Sequence, residues 1–224
     1  MKNYFLAVII ATLSLSNMCY AAGPNADKLQ FNTVVQKHLS EGDKFIDKGN
    51  YLAAIDAYKK ALAIDPQNGN AYAGLGAVDY FKKDFGKAVE NFEKAEEYGV
   101  QKNWLEGVYA HHGNSLLELG ENDKAIEVFE KLKTEAPQSP FAYQGLTTAY
   151  LRSNNMEKFI KNSEKLVELK PDVLSYYGLG QGYLAVKNYD KAKKNLLKAK
   201  ELAESTSDTT FLQAIDAQLS NIPK

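Results

Sequence analysis

A ladder of side chains recurs five times along this chain, and no other feature limits its possible folds as strongly. Counting from Gly42, Ala54 lies twelve residues on, Tyr58 sixteen, Ala61 nineteen and Pro66 twenty-four. The same positions carry Gly76, Ala88, Phe92, Ala95 and Val100, then Gly113, Ala125, Phe129, Leu132 and Pro137. Thr147, Phe159, Ser163, Leu166 and Pro171 follow, and then Gly180, Ala192, Leu196, Ala199 and Glu204. The five starting points are 34, 37, 34 and 33 residues apart. A period in this range marks a stack of small helical units, each of which buries its apolar face only against its neighbours.

Each rung has a physical reason. The small residue that opens a copy belongs where two antiparallel helices come too close for a large side chain, with the alanine twelve residues later facing it from the second helix. The aromatic or aliphatic residues beyond that alanine continue one apolar stripe at helical spacing. Lys48-Gly49-Asn50, Lys83-Asp84, Gly120-Glu121-Asn122 and Lys187-Asn188 supply turn chemistry between the paired helices. Pro66, Pro137 and Pro171 stand where a second helix must stop, because proline has no N–H to continue it.

The ladder, with phrases such as Gly49-Asn50-Tyr51-Leu52-Ala53-Ala54-Ile55 and Lys187-Asn188-Tyr189-Asp190-Lys191-Ala192, resembles the tetratricopeptide repeat over roughly residues 35–206. The resemblance implies an all-α fold: a right-handed solenoid of about five helix-turn-helix repeats at 35–68, 69–102, 106–139, 140–172 and 173–206. The fourth copy departs most, with Thr147 for glycine, Phe159 for alanine and Ser163 for the aromatic, so its helix pair is expected to be splayed or repacked. Gln101-Lys102-Asn103 is a three-residue insertion before Trp104, which predicts a lengthened first helix or an irregular joint. Residues 207–224 read as a C-terminal capping helix, with Phe211, Leu212, Ile215 and Leu219 on one face and Asp208 or Thr209 as its N-cap. Residues 23–34 read as a linker, over 23–31, and the start of the first helix.

Residues 1–22 have the layout of a secretory signal peptide: Lys2, an apolar run from Tyr4 to Leu15, and small residues before Gly23. That run is about a dozen residues, whereas a helix crossing the hydrocarbon core needs ~20. Cleavage after Ala21 or Ala22 would remove the only cysteine, Cys19, and leave a periplasmic or secreted protein with no disulfide and no stable membrane span. Two alternatives stay open: a lipid anchor on Cys19, and retention by an uncleaved N-terminal helix. The absence of any Asn-x-Ser/Thr acceptor agrees with a bacterial envelope.

Composition and charge then exclude several function classes. With 45% hydrophobic and 25% charged residues the chain has the balance of a packed globular protein. A formal charge of −1 provides no concentrated cation to engage nucleic acid or anionic lipid. No nucleophile with a base and no metal-ligand spacing is visible, so neither an enzyme nor a cofactor site is expected. His111 and His112 are adjacent and point about 100° apart on a helix; His112 is expected between helices and His111 at the surface. Gly74-Leu75-Gly76 and Gly178-Leu179-Gly180-Gln181-Gly182 lie inside first helices with no preceding strand, which makes them packing glycines rather than a phosphate loop.

In the family that this chain resembles, first helices line a concave groove that binds an extended peptide or a partner's helix. The matching positions here are Leu39, Asp43 and Ile46, then Asn70, Ala73, Ala77 and Tyr80, then Ala110, Asn114 and Leu117. Phe141, Gln144, Thr148 and Leu151 follow, and Leu174, Tyr177, Gln181 and Leu184 complete the stripe. Tyr80, Phe141 and Tyr177 offer apolar platforms, while Asn114, Gln144 and Gln181 offer amides that can pair with a ligand backbone. Each of those aromatics also has a bland reading as core. Relatives that grip a partner's terminal carboxylates use a cluster of Lys, Arg and Asn, and Asn114 has no basic neighbours at the matching places, which disfavours such a clamp. The expected function is a non-enzymatic protein-interaction scaffold for an envelope or secretion component. The alternative is a self-associating subunit of such an assembly, in contact through Trp104 or the terminal helix.

Overall fold

The computed structural model describes residues 24–206 and 209–223, and within them eleven helices and no strand. They are α1 (Pro24–Asp47), α2 (Tyr51–Ile64), α3 (Gly69–Phe81), α4 (Phe85–Tyr98), α5 (Lys102–Glu118), α6 (Asn122–Glu135), α7 (Pro140–Arg152), α8 (Met156–Leu169), α9 (Val173–Ala185), α10 (Tyr189–Thr206) and α11 (Thr209–Ser220). Odd-numbered helices from α1 to α9 are the first members of five antiparallel pairs. None of the helices is long and apolar enough to cross a membrane. The leader at 1–22 and the N-cap Asp208 lie outside the described residues.

One device closes every pair. The last turn of each first helix ends in a left-handed residue: Gly49, Lys83, Gly120, Asn154 and Lys187, with φ of 68°, 63°, 79°, 55° and 56°. The next residue's N–H returns to the carbonyl five back, as in Asn50 to Phe45 at 2.8 Å and Asn188 to Tyr183 at 2.8 Å, while the left-handed residue's own N–H reaches the carbonyl three back. This double bond pattern satisfies carbonyls that a helix end leaves orphaned. Asn50, Asn155 and Asn188 then cap the second helices with side-chain oxygens, so one short turn both ends a helix and starts another.

Packing explains the glycines of the ladder. The near neighbour of each is not the alanine twelve residues on, as the ladder suggested, but the large side chain sixteen on. A Cβ at Gly42 would stand 2.5 Å from Tyr58, at Gly76 2.8 Å from Phe92, at Gly113 2.5 Å from Phe129 and at Gly180 2.8 Å from Leu196. Behind the ring stands a second glycine from the next first helix: Gly74 behind Tyr58, and Gly145 behind Phe129. Each of these two rings, at most 1% exposed, is therefore clasped between two helix backbones, a closeness that any side chain would prevent.

The fourth copy inverts this arrangement. Thr147 fills the glycine slot and Ser163 the ring slot, both buried, so the volume lost on one helix is partly returned by the other. With no ring on α8 at that level, Gly178 meets nothing within 4 Å. The displaced ring is Phe159, in the alanine slot, and it lies against Gly182 instead. Successive first helices pack on one another from α1 to α7, and that contact falls away between α7 and α9. The fourth pair is repacked, and the stack of first helices opens there.

One boundary differs from expectation, and one follows it. The segment read as a linker is helical from Pro24, because proline at the first helical position surrenders only an N–H that would be unpaired anyway. The insertion lengthens α5 to 17 residues, against 13 for α3, α7 and α9. At the far end α11 lays Phe211, Leu212, Ile215 and Leu219 on Leu196, Ala199 and Ala203 of α10.

Candidate binding groove

First helices of consecutive repeats touch along α1, α3, α5 and α7, whereas second helices do not pack on each other. A stack that is close on one side and open on the other curves, with the first helices on its inner face. Two depressions mark that face. One, of about 320 Å³, lies between α1, α3 and the head of α5, and includes Asp43, Asp47, Ile46, Ala77, Trp104 and His111. The other, of about 450 Å³, lies between α3, α5 and α7, and includes Tyr80, Phe85, Lys83, Asn114, Leu117, Thr148 and Arg152. The rings of His111 and Tyr80, 4.6 Å apart, form the wall between the two.

The structure brings together four of the residues named from sequence: Tyr80, Asn114, Leu117 and Thr148 all line the second depression. Leu117 is 3% exposed and forms its floor. The other four stand apart from it. Phe141 is exposed on the first turn of α7, Gln144 is half-buried, and Gln181 is exposed. Tyr177 turns toward the end of the stack, where its ring meets Phe211 of α11 edge-on at 5.8 Å. From the same stripe, Asp43, Ile46, Ala73 and Ala77 line the first depression. Leu39 and Ala110 are core, and Asn70 is buried, accepting the Gln101 N–H at 2.9 Å to fasten the inserted joint.

Three side chains near the groove sit differently from a simple reading of the register. His111 is half-buried rather than freely exposed: it takes the slot that Gly74 and Gly145 hold in their repeats, stacked on Phe92 and tilted against Tyr80. Burial pushes its imidazole below the usual histidine range, against a backbone hydrogen bond with Gly107, so it is neutral at pH 7. Asn114 has no basic neighbour at the matching register places, but two cations from outside the stripe, Lys83 and Arg152, line the same depression. The register argument missed them because Lys83 occupies the left-handed turn after α3 and Arg152 the last residue of α7, both outside the helical stripe. Arg152 is committed to the Leu117 carbonyl and to Glu118, which leaves Lys83 as the cation of that depression without a carboxylate partner among the described residues. Finally, Trp104 is half-buried: from the inserted turn it packs against the cores of the first two repeats and lines the first depression.

His112 is buried, as its place beside Gly113 predicted, at 4% exposure. Its Nδ1 lies 2.7 Å from Glu96 Oε1, and Lys131 Nζ lies 2.9 Å from Glu96 Oε2, tying α4, α5 and α6 together. Burial alone would raise the Glu96 carboxyl, but the bonds from His112 and Lys131 outweigh it and hold it below the usual carboxylate range. No group of three or more His, Cys, Asp or Glu among the described residues could hold a metal ion.

Residues 42–84 match a TPR repeat model, and residues 107–139 and 174–206 match a second, described as tetratricopeptide repeat. Three segments of the stack thus match tetratricopeptide repeat models. Its irregular fourth copy falls between the last two of those matches. A TPR repeat-containing protein of Methanocaldococcus jannaschii is 30% identical over 142 residues, which is 61% of this chain and 24% of that protein. Anaphase-promoting complex subunit 6 of Arabidopsis thaliana is 29% identical over 134 residues, 58% of this chain and 24% of the subunit. The chain thus spans about a quarter of the length of these two relatives. Among solved structures, MamA is similar at 27% identity and a TM-score of 0.68, over 75% of this chain and 96% of that one. YrrB, a TPR protein with an unusual peptide-binding site, has the same fold at 18% identity and a TM-score of 0.69, over 84% of this chain and 97% of that one. Tetratricopeptide arrays in general bind protein and peptide partners.

Proposed function

We propose that this protein is a non-enzymatic scaffold of the periplasm or cell envelope that holds a peptide or helix of an envelope or secretion component in its groove. The observation that carries the reading is the second depression. Tyr80 and Phe85 give it apolar walls, and Asn114 and Thr148 give it groups able to pair with a ligand backbone. The location rests on the signal-like layout of residues 1–22 alone. It is tested by the N-terminus of the protein recovered from an envelope fraction: Ala22 or Gly23 supports it, and an intact Met1 in the cytosol refutes it.

The groove is tested with a peptide selected from a random displayed library on the full chain. Truncating an aromatic anchor at the centre of an interface costs about 2 kcal/mol, or about thirtyfold in Kd. Tyr80→Ala is expected to weaken the selected peptide by that factor while helicity is retained. Equal affinity of a folded Tyr80→Ala variant rejects the groove. The rival reading is a self-associating subunit in contact through Trp104 or the terminal helix; Trp104 is half-buried in the first depression, and α11 is docked on α10 by its apolar face. A solution mass that stays monomeric from micromolar to millimolar concentration is expected, and a concentration-dependent mass would restore the rival.

A further inference from the structure

The first depression differs in chemistry from the second. Its only charged lining groups are two carboxylates, Asp43 and Asp47, one helical turn apart on the same face of α1. Asp47 is the last residue of α1, where the partial negative charge of the helix end adds to its own. Among the described residues no Lys or Arg forms an ion pair with either carboxylate, whereas carboxylates elsewhere in the stack, such as Glu41, Asp56, Asp84, Glu96 and Glu168, have one. Asp43 Oδ1 accepts the Tyr58 hydroxyl at 2.7 Å, a neutral partner that fixes the carboxylate without cancelling its charge. Burial, and beyond the Tyr58 bond the charge of Asp47, push the Asp43 carboxyl above its ordinary range, the mark of a negative site left uncompensated. His111, neutral at pH 7, adds no positive charge.

The opposite wall is apolar. Trp104, placed there by the inserted turn of α5, stands with Ala77 of α3 and Val108 of α5. An aromatic face beside a pair of carboxylates suits a group that is cationic at its tip and aliphatic along its stem. An anion would be repelled, and a purely apolar group would strip water from two carboxylates and return nothing for it. We propose that this depression receives a lysine or arginine side chain of the peptide held in the groove, its charged end at Asp43 and Asp47 and its stem along Trp104. The inference rests on the groove reading, because the His111–Tyr80 wall makes the two depressions consecutive stations for one extended chain.

Trp104 is the only tryptophan, so its fluorescence reports on this depression directly. The probes are blocked pentapeptides, acetyl-Ala-Ala-Xaa-Ala-Ala-amide, with arginine, lysine, norleucine or glutamate at the centre, titrated into the full chain up to ~20 mM. The arginine and lysine peptides are expected to change Trp104 emission saturably, at least tenfold tighter than the norleucine and glutamate peptides. Asp47→Asn is expected to reduce that preference, and Asp43→Asn with Asp47→Asn to abolish it; asparagine at 43 keeps an acceptor for the Tyr58 hydroxyl, and circular dichroism checks the fold. Norleucine binding as tightly as arginine, a basic preference that survives the double substitution, or no saturable change with any peptide overturns the proposal. A library peptide that loses affinity with Tyr80→Ala but shows no need of a basic residue leaves the groove standing and removes this inference alone.

Discussion

Alanine placed at Gly145 and at Gly178 is predicted to act in opposite directions, although the two glycines hold the same ladder slot in successive repeats. Both lie in the interior of a first helix, α7 and α9. In such positions alanine is favoured over glycine by about 0.8–1 kcal/mol. At Gly178 nothing stands within 4 Å, so that gain is realised almost whole. At Gly145 the new methyl overlaps the Phe129 ring, which has no retreat because Gly113 closes on its other side and the ring is only 1% exposed. Overpacking of this kind costs about 1–3 kcal/mol, enough to reverse the sign. For a chain of this size about 1 kcal/mol moves Tm by about 2–4 °C. Gly178→Ala is therefore expected to raise Tm by about 2–4 °C, and Gly145→Ala to lower it by about 2–6 °C, followed by circular dichroism at 222 nm. Shifts of the same sign and size would refute the clasped-ring account of the ladder.

Other consequences are equally direct. Glu96→Gln weakens the clamp on His112 and Lys131 and should cost about 2 kcal/mol at pH 7. Because the folded carboxyl lies below its unfolded range, that stabilisation is present above the unfolded value and is lost as pH falls through the folded one, so wild type and variant should converge at acid pH in urea titrations. Lys187→Gly relieves a left-handed backbone that costs a side-chain-bearing residue about 1–2 kcal/mol, and a higher urea midpoint is expected. Tyr177→Ala removes the edge contact with Phe211, worth about 1 kcal/mol; it should lower stability while leaving the affinity of a library-selected peptide within about twofold.

The fold was legible because its rungs are local and repeated. Glycine, ring and proline recur at fixed spacing, and five copies outweigh the ambiguity of any one. What the rungs do to each other was harder to read, since the glycine's partner is a ring sixteen residues away and, for Gly74 and Gly145, a ring from the preceding repeat. The groove was half legible for a related reason. Helical register identified Tyr80, Asn114, Leu117 and Thr148, which sit on the regular part of the stack. Phe141 stands on the first turn of α7, away from the second depression, and Tyr177 and Gln181 lie on α9, past the point where the first helices part; the register passed over Lys83, Arg152 and Trp104, which reach the groove from a turn, a helix end and an insertion. His111 could have been found by asking what replaces glycine two residues before the anchor Gly113, the slot held by Gly74, Gly145 and Gly178.

The central claim, that a peptide is held on the inner face of the stack, is tested most directly by amide chemical-shift mapping of the full chain with a library-selected peptide. The account predicts perturbations concentrated on α1, α3, α5 and α7, around Asp43, Trp104, Tyr80, Asn114 and Thr148, with the outward residues of α2, α4 and α6 unmoved. Perturbations centred on those second helices, with the inner face silent, would contradict it.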